Sequence, residues 1–234
     1  MFSVAFEVKP KKERFDDYLA LAAELKPILG KIDGFIDNER FESKRRAGWL
    51  LSHSTWRDEK SVLRWRTEGR HHAVQEKGRQ RVFEDYHLRV GEVSADTAPP
   101  PEAPIRSTRL DETEIGSAKW LTLSEITPPE GFALPMQAEL LPTHLGLDVK
   151  AGGLVDHDVF TSINTPGKIA LLVSWRTAEQ ANAWRPLKLE GMKQVRHRHI
   201  RVVRDYGMFD RRESPQYYPD VEASGRETLH SGAG

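Results

Sequence analysis

The most constraining feature of this 234-residue chain is an internal duplication. The stretch "GFIDNERFESKRRAGWLLSHSTWRDEKSVLRWR", which begins at Gly34, aligns with "GLVDHDVFTSINTPGKIALLVSWRTAEQANAWR", which begins at Gly153, at a constant offset of 119 positions. Pairs that match at this offset include Trp56 with Trp175 and Trp65 with Trp184. A fixed register with matching tryptophans indicates that the chain contains two copies of one structural unit.

The same register extends beyond this core in both directions. Toward the N-terminus, "FSVAFEVKP" at Phe2 aligns with "LTLSEITPP" at Leu121. After the second tryptophan the second copy gains one residue, and "RVFEDY" at Arg81 then aligns with "RVVRDY" at Arg201. The alignment therefore predicts equivalent first and last strands in the two units.

Within one unit, hydrophobic periodicity predicts the order β-α-β-β-α-β. Residues 2–8 alternate as in a strand, and residues 12–29 have helical spacing before Gly30. "FIDNERFES" and "GWLLSHSTW" predict a hairpin, Asp58 is placed to cap a second helix, and "VFEDYHLRV" closes the unit as a strand. This is the ferredoxin-like arrangement of the α+β class. Because one sheet face remains bare, we expect two such units to pack sheet to sheet in one chain.

Composition divides the chain into four segments and excludes several functions. We expect one unit at 1–93, a proline-rich linker at 94–117, a second, degenerate unit at 118–210 and a polar tail at 211–234. The 35 basic and 35 acidic residues balance, which argues against nucleic-acid binding. The absence of cysteine excludes disulfides and thiolate sites. Because no signal peptide or membrane-spanning run is recognisable, we expect a cytoplasmic protein that does not enter membranes, and association of two chains as a homodimer stays open.

Four segments of the first unit form a recognisable pattern: "IDGFIDNERF", "STWRDEKSVLRWR", "HHAVQEKGR" and "FEDYHLRVGEV". Through them residues 1–93 resemble the antibiotic biosynthesis monooxygenase family, whose fold is the dimeric α+β barrel. The second unit resembles it more weakly, through "LVSWRTAEQANAWR" and "RVVRDYGMF". The resemblance implies two units forming an intramolecular version of that barrel. It specifies the fold more closely than the chemistry, because one fold hosts several activities.

The resemblance also implies a catalytic set. In the cofactor-free monooxygenases of this family, a helical tryptophan precedes a proton-relay tyrosine by six residues, and an asparagine lies on an earlier strand. Trp65 and Asn38 match the tryptophan and the asparagine, and His71 stands where the tyrosine is expected. Histidine transfers protons near neutral pH. We therefore expect His71 or the adjacent His72 to deprotonate a small aromatic or enolisable substrate, Asn38 to bind the oxyanion, and O2 to react without a cofactor.

The duplication bears on the two histidines. At the offset of 119, Glu190 and Gly191 lie opposite His71 and His72. A packing role would place histidines in both units, so their absence from the second favours a role in the first unit, or simple exposure to solvent. Adjacent helical residues point about 100° apart, so only one is expected to face a given cavity. The sequence does not select between them, because Gly69 is placed to break the helix.

Two other functions remain open. The haem-degrading relatives carry their proximal histidine ten residues after the tryptophan, where this chain has Gln75 in the first unit and Gln194 in the second. Haem binding would then depend on His71 or His72. Alternatively, the protein binds a small molecule, or acts as a scaffold, without catalysis.

Further polar residues are weaker candidates. His53 is placed to point into the barrel, and His157 aligns with Asn38 and suggests a second polar pocket. "RHRH" at Arg196 suggests a metal or phosphate patch, although we interpret it as a solvated helix face and expect no metal site.

Overall fold

The structure, a computed structural model, describes residues 1–106, 116–131 and 137–210. The first part contains β1 (Phe2–Pro10), α1 (Phe15–Leu29), β2 (Phe35–Ser43), β3 (Leu50–Trp56), α2 (Glu59–Thr67), α3 (Gly69–Lys77) and β4 (Phe83–Asp96). The remainder contains β5 (Trp120–Thr127), α4 (Leu141–His144), β6 (Leu154–Ser162), β7 (Ile169–Trp175), α5 (Ala178–Ala183) and β8 (Gln194–Gly207). We call residues 1–96 lobe one and residues 118–210 lobe two.

The eight strands form one closed antiparallel barrel in the order β1-β3-β2-β6-β7-β5-β8-β4. Each lobe contributes four adjacent strands, and the two half-sheets join where β2 pairs with β6 and where β4 pairs with β8. The predicted α+β fold, an intramolecular α+β barrel, is confirmed. Closure leaves no free sheet edge among these strands, which removes the main route to edge-to-edge association.

The join between β2 and β6 is reciprocal. Ser43 donates a hydrogen bond to the Asp158 carboxylate at 2.8 Å, and Ser162 donates one to the Glu39 carboxylate at 2.7 Å. The two serines are 119 positions apart in the sequence, and so are the two acids. Contacts of residue i with j, repeated as j with i, are typical of a twofold interface, and here that interface lies within one chain.

The register predicted for the outer strands is wrong. Phe2 pairs with Trp56, whereas Trp120 pairs with Trp175, so Trp120 and not Leu121 corresponds to Phe2. A slip of one residue moves every side chain of a strand to the opposite face. Ser3 and Leu121 therefore share the interior face.

The last strands are also displaced from the predicted register. Glu92 pairs with Phe2 and Arg201 pairs with Trp120, which makes Glu92 and Arg201 equivalent at an offset of 109. The likeness of "RVFEDY" to "RVVRDY" is thus a local coincidence. Lobe two is ten residues shorter in this region, and the segment between Trp184 and β8 contains no counterpart of α3.

The interpretation of "RHRH" as a helix face is wrong. These residues lie on β8, where alternate side chains face opposite sides of the sheet. Arg198 is only 1% exposed and pairs with Glu125 inside the barrel, while its Nη1 donates to Thr55 Oγ1 at 3.1 Å. Arg196 pairs with Asp96 at 2.7 Å.

Part of the segment at 94–117 packs on the barrel. Strand β4 continues through Asp96, and Ala103 is fully buried against the barrel interior with Ile105 packed beside it. Residues 107–115 and the tail at 211–234 lie outside the described residues. No helix in the described ranges is long and apolar enough to cross a membrane.

Candidate active site

Lobe one contains a cavity of about 200 Å³ between the outer face of its sheet and helices α1 to α3. We call it the lobe-one cavity. Its apolar lining includes Val4, Phe6, Leu21, Leu25, Val62, Trp65, Val74 and Leu88. Arg204 and Tyr206 on β8 complete the wall, so lobe two contributes to a site that lies mainly in lobe one. An apolar cavity with a few converging polar groups is the usual form of a small-molecule site.

The corresponding tryptophan of lobe two is enclosed by its neighbours. Trp184 is buried and packs on Trp175, with ring centroids 6.2 Å apart. Its Nε1 donates to the Leu145 carbonyl at 3.3 Å, and Leu141 and Leu147 belong to the same buried cluster. The tryptophan of lobe two therefore serves packing.

A break between α2 and α3 brings His71 to Trp65. Glu68 has extended backbone angles, φ −62° and ψ 127°, which end α2 and begin α3. Its side chain caps α3 by accepting a hydrogen bond from the His71 amide at 2.7 Å. The imidazole of His71 consequently stacks on the Trp65 indole, with centroids 3.9 Å apart and an interplanar angle of 12°.

Hydrogen bonding defines the tautomer of His71. Nδ1 lies 2.7 Å from the Trp65 carbonyl oxygen, which can only accept, so Nδ1 carries the hydrogen. In the neutral ring Nε2 then carries a lone pair. Burial lowers the pKa of His71 to about 4, outweighing the bond to Trp65 and the charge of Glu68, which raise it. His71 is therefore a neutral hydrogen-bond acceptor at physiological pH.

The structure separates the four residues that the sequence predicts. His71, Trp65 and Asn38 all line the lobe-one cavity. His72 does not line the cavity, and its backbone amide donates to the Glu68 carbonyl at 2.9 Å as part of α3. Of the two histidines between which the sequence does not choose, His71 is thus the one that lines the cavity.

Asn38 does not present its amide hydrogens to the cavity. Nδ2 donates to Ser52 Oγ at 3.0 Å and to the His53 carbonyl at 2.9 Å, which uses both hydrogens. Ser52 also lines the cavity, and its hydroxyl hydrogen remains to be donated there. Ser54 is placed in the same way, because its Oγ accepts from Trp56 Nε1 at 2.9 Å. Ser52 and Ser54, rather than the amide hydrogens of Asn38, therefore offer hydrogen-bond donors to the cavity.

The cavity has a positive electrostatic character. Its lining includes five basic side chains, Lys26, Arg40, Arg66, Arg79 and Arg204, against one carboxylate, that of Glu59. Positive charge near a poorly solvated site stabilises an anion formed there. Such surroundings favour a substrate that is, or becomes, an anion.

The lining of the cavity does not include the proximal histidine of the haem-degrading relatives. The lining residue ten positions after Trp65 is Gln75, whose amide is a poor axial ligand for iron compared with imidazole. His71, the lining histidine, lies flat against Trp65.

The remaining histidine candidates lie elsewhere. His53 is buried in the barrel interior, where its Nε2 contacts Ser3 Oγ at 2.8 Å and burial holds its pKa well below the usual value. His157 is partly buried on β6, and burial followed by the charge of Arg45 lowers its pKa. Within the described ranges no cluster of His, Cys, Asp or Glu could hold a metal ion.

Sequence comparison identifies the family. A family model described as antibiotic biosynthesis monooxygenase matches residues 1–77, which ends where α3 ends. The jasmonate monooxygenase of Pyricularia oryzae (strain 70-15) is 41% identical over 224 residues, which cover 94% of this chain and 99% of that protein. This chain belongs to the antibiotic biosynthesis monooxygenase family. The resemblance noted in the sequence is thereby confirmed, and a monooxygenase-like function is supported.

Solved structures also match this antibiotic biosynthesis monooxygenase family member, though weakly. A candidate monooxygenase from Fusobacterium nucleatum is 9% identical, with a TM-score of 0.39, covering 87% of this chain and 93% of that chain. An anthrone oxidase-like protein is 13% identical, with a TM-score of 0.31, covering 88% of this chain and 92% of that chain. At these scores neither adds to the family assignment.

Proposed function

We propose that this protein is a cofactor-independent monooxygenase that oxidises a small enolisable ketone with O2 in the lobe-one cavity. The observation that carries the proposal is the neutral His71, stacked on Trp65 in an apolar and positively charged cavity. The relative from Pyricularia oryzae is named for jasmonate, which contains a cyclopentanone ring, a carboxylate and an apolar pentenyl chain. A compound of this class is both enolisable and suited to an apolar wall.

His71 acts as the general base. Its Nε2 lone pair accepts a proton from the carbon beside the ketone, and the positive charge acquired by the ring is stabilised by the Trp65 carbonyl and the Glu68 carboxylate. A base with a pKa of about 4 is weak, so the anion formed must itself be stabilised. The hydroxyls of Ser52 and Ser54, together with the positive lining, supply that stabilisation.

The enolate supplies the electrons that O2 requires. It transfers one electron to O2, and the resulting radical and superoxide combine into a peroxide, which receives the proton held by His71. Loss of water from a hydroperoxide at a CH2 position leaves a second carbonyl group. One oxygen atom of O2 stays in the product, the other leaves as water, and all four electrons come from the substrate.

The test is oxygen uptake with jasmonic acid by the wild type and by two variants of adjacent residues. His71→Gln should lower kcat by about 10²- to 10⁴-fold, the usual contribution of a general base. His72→Gln is the matched control and should retain the wild-type rate, because His72 does not line the cavity. Unchanged uptake in His71→Gln, or no uptake by the wild type with jasmonic acid and related cyclopentanones, would refute the proposal.

A further inference from the structure

Arg40 is one of the basic residues that line the lobe-one cavity. It lies on β2 two residues after Asn38, so both side chains project from the same face of the sheet, toward the lobe-one cavity. Its Nε is buried and has no hydrogen-bond partner among the described residues, and no carboxylate of those residues lies within ion-pair distance. A buried cation without a counter-charge is costly unless something else compensates it.

Three other cations of the cavity have interactions that the structure defines. Arg79 Nη1 donates to the Tyr86 hydroxyl at 2.5 Å. Arg204 pairs with Glu59 at 3.6 Å, and Arg66 lies 5.9 Å from the ring centroid of Tyr206. Arg40 has a buried Nε without a partner among the described residues, and this group is therefore available to donate to a ligand.

Tyr18 on α1 completes a pair of donors. It is 5% exposed and lines the same cavity, where the charge of Arg40 acts on its hydroxyl. The guanidinium carries donors only, and a protonated tyrosine hydroxyl also has a hydrogen to donate. Burial raises the pKa of Tyr18 despite the nearby cation, so the hydroxyl stays protonated at neutral pH. A guanidinium beside a hydroxyl offers the arrangement of donors that a carboxylate accepts.

We infer that Arg40 and Tyr18 form a carboxylate-binding subsite that anchors an acidic substrate in the lobe-one cavity. The inference rests on the proposed function for the reaction, but it concerns recognition and is tested separately. Residues two apart on a strand have Cα atoms about 7 Å apart, so a carboxylate held at Arg40 leaves the rest of a small keto acid beside Asn38 and the serine hydroxyl it holds. The subsite thus selects acids over their neutral esters.

The experiment measures binding, by calorimetry, of three probes: jasmonic acid, methyl jasmonate and octanoate. The ester removes the negative charge, and octanoate retains the carboxylate without a ketone. Arg40→Gln should weaken jasmonic acid and octanoate by about 10- to 100-fold, as expected for a hydrogen-bonded charge, and leave the ester nearly unaffected. Tyr18→Phe should weaken both acids by a smaller factor. Arg14→Gln removes an exposed arginine that pairs with Asp17 and serves as the charge-matched control.

The outcomes separate recognition from chemistry. Equal loss of acid and ester binding in Arg40→Gln, or wild-type affinity for both acids, overturns the subsite, as does a wild type that binds neither acid. Retained ester binding shows that the variant is folded, and Arg40→Lys tests the geometry, because lysine restores the charge without the planar pair of donors. Selective acid binding without oxygen uptake would support the subsite and refute the proposed reaction.

Discussion

The low pKa of His71 predicts how the stability of the folded protein depends on pH, which can be tested without a substrate. A histidine in the unfolded chain has a pKa of about 6.5, whereas that of His71 in the folded protein is about 4. Between these values the unfolded state binds the proton and the folded state does not. His71 therefore lowers stability as the pH falls from about 6.5 toward 4, and has no such effect above neutral pH.

The magnitude follows from the two pKa values. From pH 8 to pH 5, this difference lowers the free energy of unfolding by about 2 kcal/mol, and well below pH 4 the full shift corresponds to about 3 kcal/mol. The substitution His71→Gln removes the titrating group. The stability of the wild type relative to the variant should thus fall by about 2 kcal/mol between pH 8 and pH 5.

Urea unfolding of both proteins at pH 8, 7, 6 and 5 measures this difference. Any cost of the lost stacking on Trp65 is independent of pH and cancels in the comparison. Other histidines with lowered pKa values, such as His53 and His199, are present in both proteins and cancel as well. Parallel pH dependences for wild type and variant would show that His71 is not held in its neutral form, and the reasoning about its burial would be refuted.

Two further predictions concern the local structure around the site. Glu68→Ala removes the cap of α3 and should lower the free energy of unfolding by about 1 kcal/mol, which thermal melts measure. Because His71 is then held less firmly on Trp65, kcat should fall by a larger factor than KM rises. An unchanged kcat in steady-state kinetics would count against a positioning role for Glu68. Gly34→Ala should lower the free energy of unfolding by more than about 2 kcal/mol, because the φ of Gly34 is +85° and an added Cβ would lie 2.0 Å from Ser61 Oγ. Gly191→Ala should lower it by only about 1 kcal/mol, because the φ of +74° is similar but no atom lies near the added Cβ. Equal melting temperatures for the two variants would contradict the packing around Gly34.

The fold could be predicted because it repeats and because its strands alternate. The matching of Trp56 with Trp175 supplies a register that no single unit provides, and the hairpin between β2 and β3 has a clear pattern. The sequence determines the register of the outer strands less well, because a similar alternation of apolar and polar residues fits two registers that differ by one residue. The similar segments that begin at Arg81 and Arg201 suggest equal lengths for the two units, and so conceal the absence of a counterpart of α3 in lobe two.

The site could be predicted only in part. Trp65 and His71 have a recognisable spacing, but their stacking depends on the break at Glu68, and glutamate is not among the residues that most strongly mark the start of a helix. Arg40 gave no signal, because an arginine on a strand is most often exposed. Ser52 and Tyr18 are similarly ordinary in the sequence. Their significance arises where strands and helices bring them to one cavity.

The most direct test of the central claim, that His71 is the base of this cavity, is hydrogen–deuterium exchange of jasmonic acid in D2O without oxygen. If His71 removes the proton beside the ketone, the wild type should accelerate deuterium incorporation at that position, detected by NMR, and His71→Gln should not. Equal acceleration by both proteins would contradict the claim. Oxygen uptake by a wild type that catalyses no exchange would also place the base, or the reacting carbon, elsewhere.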